Sequence, residues 1–176
     1  MSECLFHISE EPGIIIFEPK PSPSYFDKIT SNVVFAISEK LLHNYLLPRD
    51  CPRVTYYASP KTTKADLDTF FKYSLADYVI AIESAWFKKI SNTTLYCYEF
   101  LPDTFTILDE CAGYYISSKA VEPIRVTIIS DLFEELLKRN IELRFIPDLH
   151  KLADEVKQSS LNFSLIRMRN AGKQPI

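Results

Sequence analysis

His7 stands between Phe6 and Ile8 in the run Leu5-Phe6-His7-Ile8-Ser9, where a neutral imidazole can act as base, nucleotide ligand or metal ligand. Ser9 follows two residues on, which places it on the same face if this run is a strand. The plainer reading of His7 is a half-buried ring hydrogen-bonded to backbone. A second group is Arg49-Asp50-Cys51-Pro52-Arg53, a proline-braced connector with a guanidinium at each end. Two such groups on a stiff loop can grip a phosphate or carboxylate with paired N–H donors. The competing reading pairs Asp50 with one arginine inside a turn. Arg167 and Arg169 join the phosphate-binding set if the tail folds back over the sheet, and are ordinary surface charges if it does not.

The acids are harder to rank. Glu83 ends the apolar run Tyr78-Val79-Ile80-Ala81-Ile82, a position suited either to a cleft or to the first turn of a following helix. Glu99, inside Tyr96-Cys97-Tyr98-Glu99-Phe100, is either solvent-facing or a buried acid. Asp109-Glu110-Cys111 precedes Gly113-Tyr114-Tyr115, setting acids beside aromatic rings. Cys51, flanked by arginines, would have an acidified thiol if exposed. Cys4-x-x-His7 has metal-ligand spacing, but no second pair completes a tetrahedral set, so no metal is expected.

The elements that must hold these groups read as follows. Leu5–Ser9, Ile14–Phe17, Val33–Ile37, Val54–Ala58, Tyr78–Ile82, Leu95–Phe100, Thr104–Leu108, Tyr114–Ser117, Arg125–Ile129 and Ile141–Ile146 have strand character. Helices are expected after Ser38, from the Thr63/Asp66 capping pair, around Trp86, from Ser130 to Arg139, and from Asp148. Glu18 to Ser24 carries three prolines and reads as a surface loop or flap. The tail Leu161–Asn170 suits either a strand or a helix. With about eight strands and about four or five helices lacking strict alternation, the class is α+β with a mixed or mainly antiparallel sheet. The length of 176 residues fits a single domain spanning 1–176.

Composition removes whole classes of function. Only three glycines are present, so neither a dinucleotide fingerprint nor a phosphate loop can be built. A formal net charge of −3 with interspersed charges argues against wrapping duplex nucleic acid. No export signal and no apolar run of about 18 residues is visible, so a cytoplasmic, non-membrane protein with four reduced cysteines is expected.

Several stretches resemble a family of uncharacterised bacterial proteins. They are Leu5-Phe6-His7-Ile8-Ser9-Glu10-Glu11-Pro12, Asn44-Tyr45-Leu46-Leu47-Pro48-Arg49-Asp50-Cys51-Pro52-Arg53-Val54, Ile80-Ala81-Ile82-Glu83-Ser84 and Ile166-Arg167-Met168-Arg169-Asn170-Ala171. The order of elements is also similar to the ADP-ribosyltransferase-like fold, through Phe6-His7, the strand at Val33–Ile37, and Ala112-Gly113-Tyr114-Tyr115-Ile116-Ser117. That resemblance implies that His7 positions NAD or a nucleotide and that a tyrosine such as Tyr115, or a carboxylate such as Glu83, completes the site. The sequence lacks the Ser-Thr-Ser segment and the Glu-x-Glu pair of that fold. The expectation is a nucleotide- or NAD-binding protein with ADP-ribosyl or phosphoryl transferase-like chemistry. The alternative is a non-catalytic module for a small anion, nucleotide or protein partner.

Overall fold

Ten strands and four α-helices order the residues that the structure, a computed structural model, describes: 4–22, 27, 29 and 31–173. The strands are β1 (Leu5–Ser9), β2 (Val34–Ser38), β3 (Arg53–Tyr57), β4 (Tyr78–Glu83), β5 (Leu95–Phe100), β6 (Thr106–Asp109), β7 (Tyr114–Ser117), β8 (Arg125–Ile129), β9 (Ile141–Ile146) and β10 (Asn162–Ile166). The helices are α1 (Lys64–Phe70), α2 (Phe87–Ser91), α3 (Leu132–Lys138) and α4 (His150–Lys157), with short 3-10 turns between elements. The class is α+β. Two compact units share the chain, one made of Met1–Leu46 and Thr94–Ser130, the other of Leu47–Thr93 and Asp131–Ile176.

The first unit is built on a six-stranded antiparallel sheet in the order β6-β7-β2-β1-β5-β8. Alternation along the strands sends Leu5, Val34, Ala36, Tyr98 and Phe100 to one face, where they form a buried cluster with Val121. The segment after β1 crosses that face. The Tyr98 hydroxyl accepts from the Ile14 N–H at 3.1 Å and donates to the Glu11 carbonyl at 2.8 Å. Phe17 sets its ring against Tyr98 and Phe100 and pairs its backbone with Val121. At the turn into β7, Gly113 has a φ of +66°, and a Cβ there would fall 2.5 Å from Ser38 Oγ. Only glycine fits that turn without displacing a neighbour.

The second unit carries a four-stranded sheet in the order β10-β3-β4-β9. β4 and β9 run parallel while the other neighbours are antiparallel, so the sheet is mixed. Val54, Tyr56, Val79 and Ala81 face Phe70 of α1 and Ala153 and Val156 of α4 across one core. Full burial of each large apolar side chain stabilises the fold by roughly 1.5–3 kcal/mol. Arg144 ties β9 to this layer: it donates to the Tyr56 hydroxyl at 2.6 Å and to the Phe70 carbonyl at 2.7 Å.

Local signals succeed where a named side chain caps a helix. Thr63 Oγ1 accepts from the Asp66 N–H at 3.2 Å, as the capping pair predicts. In α3 the cap is Asp131, whose carboxylate accepts from the Glu134 N–H at 2.9 Å, rather than Ser130. The tail resolves as strand β10. Ile14–Phe17 is not a strand: hemmed by Pro12-Gly13 and Pro19, it is an extended crossing with Ile15 81% exposed. The segment after Ser38 forms a 3-10 helix, Glu39–Tyr45, instead of a capped α-helix. Of the proline-rich stretch, residues 23 and 24 lie outside the described residues. Among the described residues no helix is long and apolar enough to cross a membrane.

Candidate functional site

In the four-stranded sheet, register alone collects most of the arginines and acids named above. Arg53 opens β3 opposite Ile82 of β4 and Ile166 of β10. Glu83 closes β4 opposite Ile146 of β9. Arg53, Glu83 and Arg167 therefore share one end of the sheet, together with the connector that carries Arg49 and Asp50 into β3.

Arg53 and Glu83 are each 2% exposed. The Arg53 guanidinium turns back on its own connector, Nη1 donating to the Cys51 carbonyl at 2.9 Å and to the Pro48 carbonyl at 3.3 Å. It thereby braces the loop that presents Arg49. The Glu83 carboxylate accepts the Gly172 N–H at both oxygens, 2.8 and 3.1 Å away. Between them, the Asn170 side-chain amide donates to the Asp50 carbonyl at 2.7 Å, and Arg167 Nε donates to the Arg49 carbonyl at 3.2 Å. The tail after β10 is thus stitched to the connector before β3 and to the end of β4.

Arg167 takes a left-handed backbone, φ 54° and ψ 27°. For a residue with a Cβ this costs about 1 kcal/mol or more. The reversal starts the 3-10 turn Met168–Asn170, on which Arg169 is exposed. Arg49 is exposed on the facing connector. Arg49, Arg167 and Arg169 thus stand on adjoining loops, with the Asp50 carboxylate 4.0 Å from Arg167 Nε. Such a set can bind an anion by charge and by directed N–H donors. Cys51, by contrast, is buried: burial pushes its thiol up to about 12, Arg53 working against the shift and Glu83 adding to it. The acidified thiol considered from sequence requires exposure, which the fold denies it.

His7, Ser9 and Tyr115 belong to the six-stranded sheet. His7 lies opposite Tyr98, and its Nδ1–H donates to the Phe35 carbonyl at 2.8 Å. A carbonyl only accepts, so this bond fixes the proton of a neutral ring on Nδ1. The Phe17 ring lies 4.8 Å from the imidazole. Tyr115, opposite Ala36, packs against the same cluster as Phe17. Ser9 Oγ accepts from the Glu11 N–H at 3.0 Å and shapes the turn into the crossing segment. On β5, Glu99 accepts from Arg125 Nε at 2.6 Å, and hydrogen bonding to the Cys4 thiol, then to Arg125, holds its carboxyl below the ordinary value. Among the described residues no cluster of histidine, cysteine and acid side chains could hold a metal ion.

A family model for a family of unknown function, DUF6886, matches residues 6–171. The chain belongs to that family. The match takes in residues of both units and ends at Ala171, so it includes Arg49, Arg53, Glu83, Arg167 and Arg169 but not Gly172. No curated protein and no solved structure matches the chain.

Sequence reading named the arginines and Glu83 but missed their fasteners, Asn170 and Gly172. The signal was present: Asn-Ala-Gly after an arginine pair is turn chemistry, able to supply a side-chain donor and a positive-φ backbone. Arg125, the partner of Glu99, was also missed, because cross-strand pairing is invisible until register is known.

Proposed function

We propose that this member of the family binds a small phosphorylated ligand on the loops that carry Arg49, Arg167 and Arg169. The observation behind the proposal is the left-handed Arg167. A strained residue fastened to the Arg49 carbonyl orients the loops bearing three guanidiniums, while buried Arg53 and Glu83 hold those loops from beneath. Stability is a poor reason for such a cluster, since exposed ion pairs contribute only about 0–1 kcal/mol. Nucleotides and NAD are the class to test first, because their phosphates suit paired N–H donors.

The experiment is a thermal-shift screen against NAD, ADP-ribose, mononucleotides and inorganic phosphate. Ligand at one hundred times its dissociation constant stabilises a fold by about 2.7 kcal/mol. A shift present in the wild type and lost in Arg169→Ala and Arg49→Ala supports the site. No shift with any of these ligands overturns it.

A second reading adds ADP-ribosyl or phosphoryl transfer, and the fixed His7 ring favours it. With its proton held on Nδ1 by the Phe35 carbonyl, a neutral His7 has its basic nitrogen at Nε2, as positioning a ribose hydroxyl would require. Tyr115, packed on the same face of the six-stranded sheet, would complete such a site. Turnover of NAD that is abolished by His7→Ala, with binding retained, would establish this reading. Binding without turnover would leave a non-catalytic module.

A further inference from the structure

We propose that the exposed edge of strand β8 pairs with the same strand of a second copy of this chain, making a two-fold dimer with a continuous sheet. Among the described residues, β8 is the last strand on its side of the six-stranded sheet and is hydrogen-bonded within it only to β5. A strand edge carries backbone N–H and C=O groups that must find water or another strand. Edges that stay single are guarded by lysine, proline, inward charges or a bulge. Within Arg125–Ile129, β8 has no lysine, proline or bulge, and its register against β5 is regular from Leu95↔Ile129 to Glu99↔Arg125. Its one charge, Arg125, is neutralised within the chain by Glu99, 2.5 Å from the guanidinium.

The side chains point to the same occupant. Ile124, Val126 and Ile128 are 53%, 44% and 66% exposed, so three apolar residues at alternate positions line one face of an open edge. Val126 and Ile128 lie opposite Tyr98 and Tyr96, which places both on one side of the sheet. Antiparallel pairing about Thr127 sets Val126 of one copy across from Ile128 of the other, and the reverse, while Thr127 meets its own symmetry mate. Both cross-strand contacts are then apolar pairs on a single face. No like charges meet, because Arg125 falls opposite Ile129. The interface is isologous and closes at two subunits.

Light scattering coupled to size exclusion, across a concentration series of the full chain, reads the mass directly. The wild type is expected at twice the chain mass, and the double variant Val126→Lys/Ile128→Lys at the chain mass with an unchanged circular dichroism spectrum. A second measurement fixes the register. In a Cys111→Ser background, Thr127→Cys should link two copies under mild oxidation, since facing residues of an antiparallel pair lie about 4.5–5.5 Å apart, within disulfide reach. Ile107→Cys, on the opposite edge strand β6, should not. A wild type that stays monomeric throughout, a dimer indifferent to the two lysines, or cross-linking at Ile107 but not Thr127 would each overturn the proposal.

Discussion

Gly172 gives its backbone N–H to both oxygens of the buried Glu83 carboxylate, fastening the segment after β10 to the end of β4. A buried acid that receives a main-chain donor holds chain as well as charge. Its loss strands that donor, with no side chain left to accept from it.

Glu83→Ala should therefore lower stability by roughly 1–3 kcal/mol in urea denaturation. Amide exchange should accelerate across residues 167–173 more than in α1. Glu83→Gln keeps an acceptor oxygen and should lose less. Equal losses in the two variants would mean that Gly172 contributes nothing to the effect.

The acid limb of stability should depend on Glu99. Its folded pKa is depressed, chiefly by the Cys4 hydrogen bond and then by Arg125. A depressed carboxylate contributes stability that is complete above the unfolded value of 4.5 and lost as pH falls through the folded value. The urea midpoint of Glu99→Gln should accordingly change less than that of the wild type between about pH 5 and about pH 3. Parallel profiles would remove Glu99 from the acid transition.

Thiol reactivity should separate the cysteines by environment. Cys111 is exposed and should react first with a disulfide reagent under native conditions. Cys51, held protonated to about 12 by burial, and buried Cys97 should react only on unfolding. Cys4, whose thiol is raised first by its hydrogen bond to Glu99 and then by burial, should be slower than Cys111. Rapid native labelling of Cys51 would contradict its buried position.

Gly113→Ala should destabilise by about 1–3 kcal/mol, since it adds both a positive-φ cost and a clash with Ser38 Oγ. Gly13→Ala shares the positive φ but meets nothing within 4 Å, so it should cost less. A difference near zero between the two, by thermal unfolding, would mean that the turn relaxes around the added methyl.

Much of the fold was legible because strand character survives in short β-branched and aromatic runs. Val34–Ser38, Tyr78–Glu83 and Leu95–Phe100 all lie where periodicity puts them, within a residue or so. Ile14–Phe17 misled for the same reason. Apolar content says that a segment meets a core, and only its neighbours decide whether it pairs or crosses. The arginines were legible as residue types on a stiff loop, while their assembly was not. That β10 lies beside β3, bringing Arg167 to Arg49, is a fact of topology between segments more than a hundred residues apart. The burial of Arg53 was equally hidden, because a connector that looks exposed in sequence becomes the floor of a loop once Pro48 and Cys51 turn their carbonyls inward.

The interleaving of the two units also sets an order of events at the ribosome. All six strands of the first sheet have been made once Ile129 has emerged, so that unit can close while β9 and β10 are still untranslated. Through that interval the antiparallel pair β3 and β4 lacks its later neighbours, and Glu83 has yet to receive Gly172. A nascent chain stalled after Ser130 would carry all strands of one sheet and leave the other awaiting its outer strands, with unpaired edges open to aggregation.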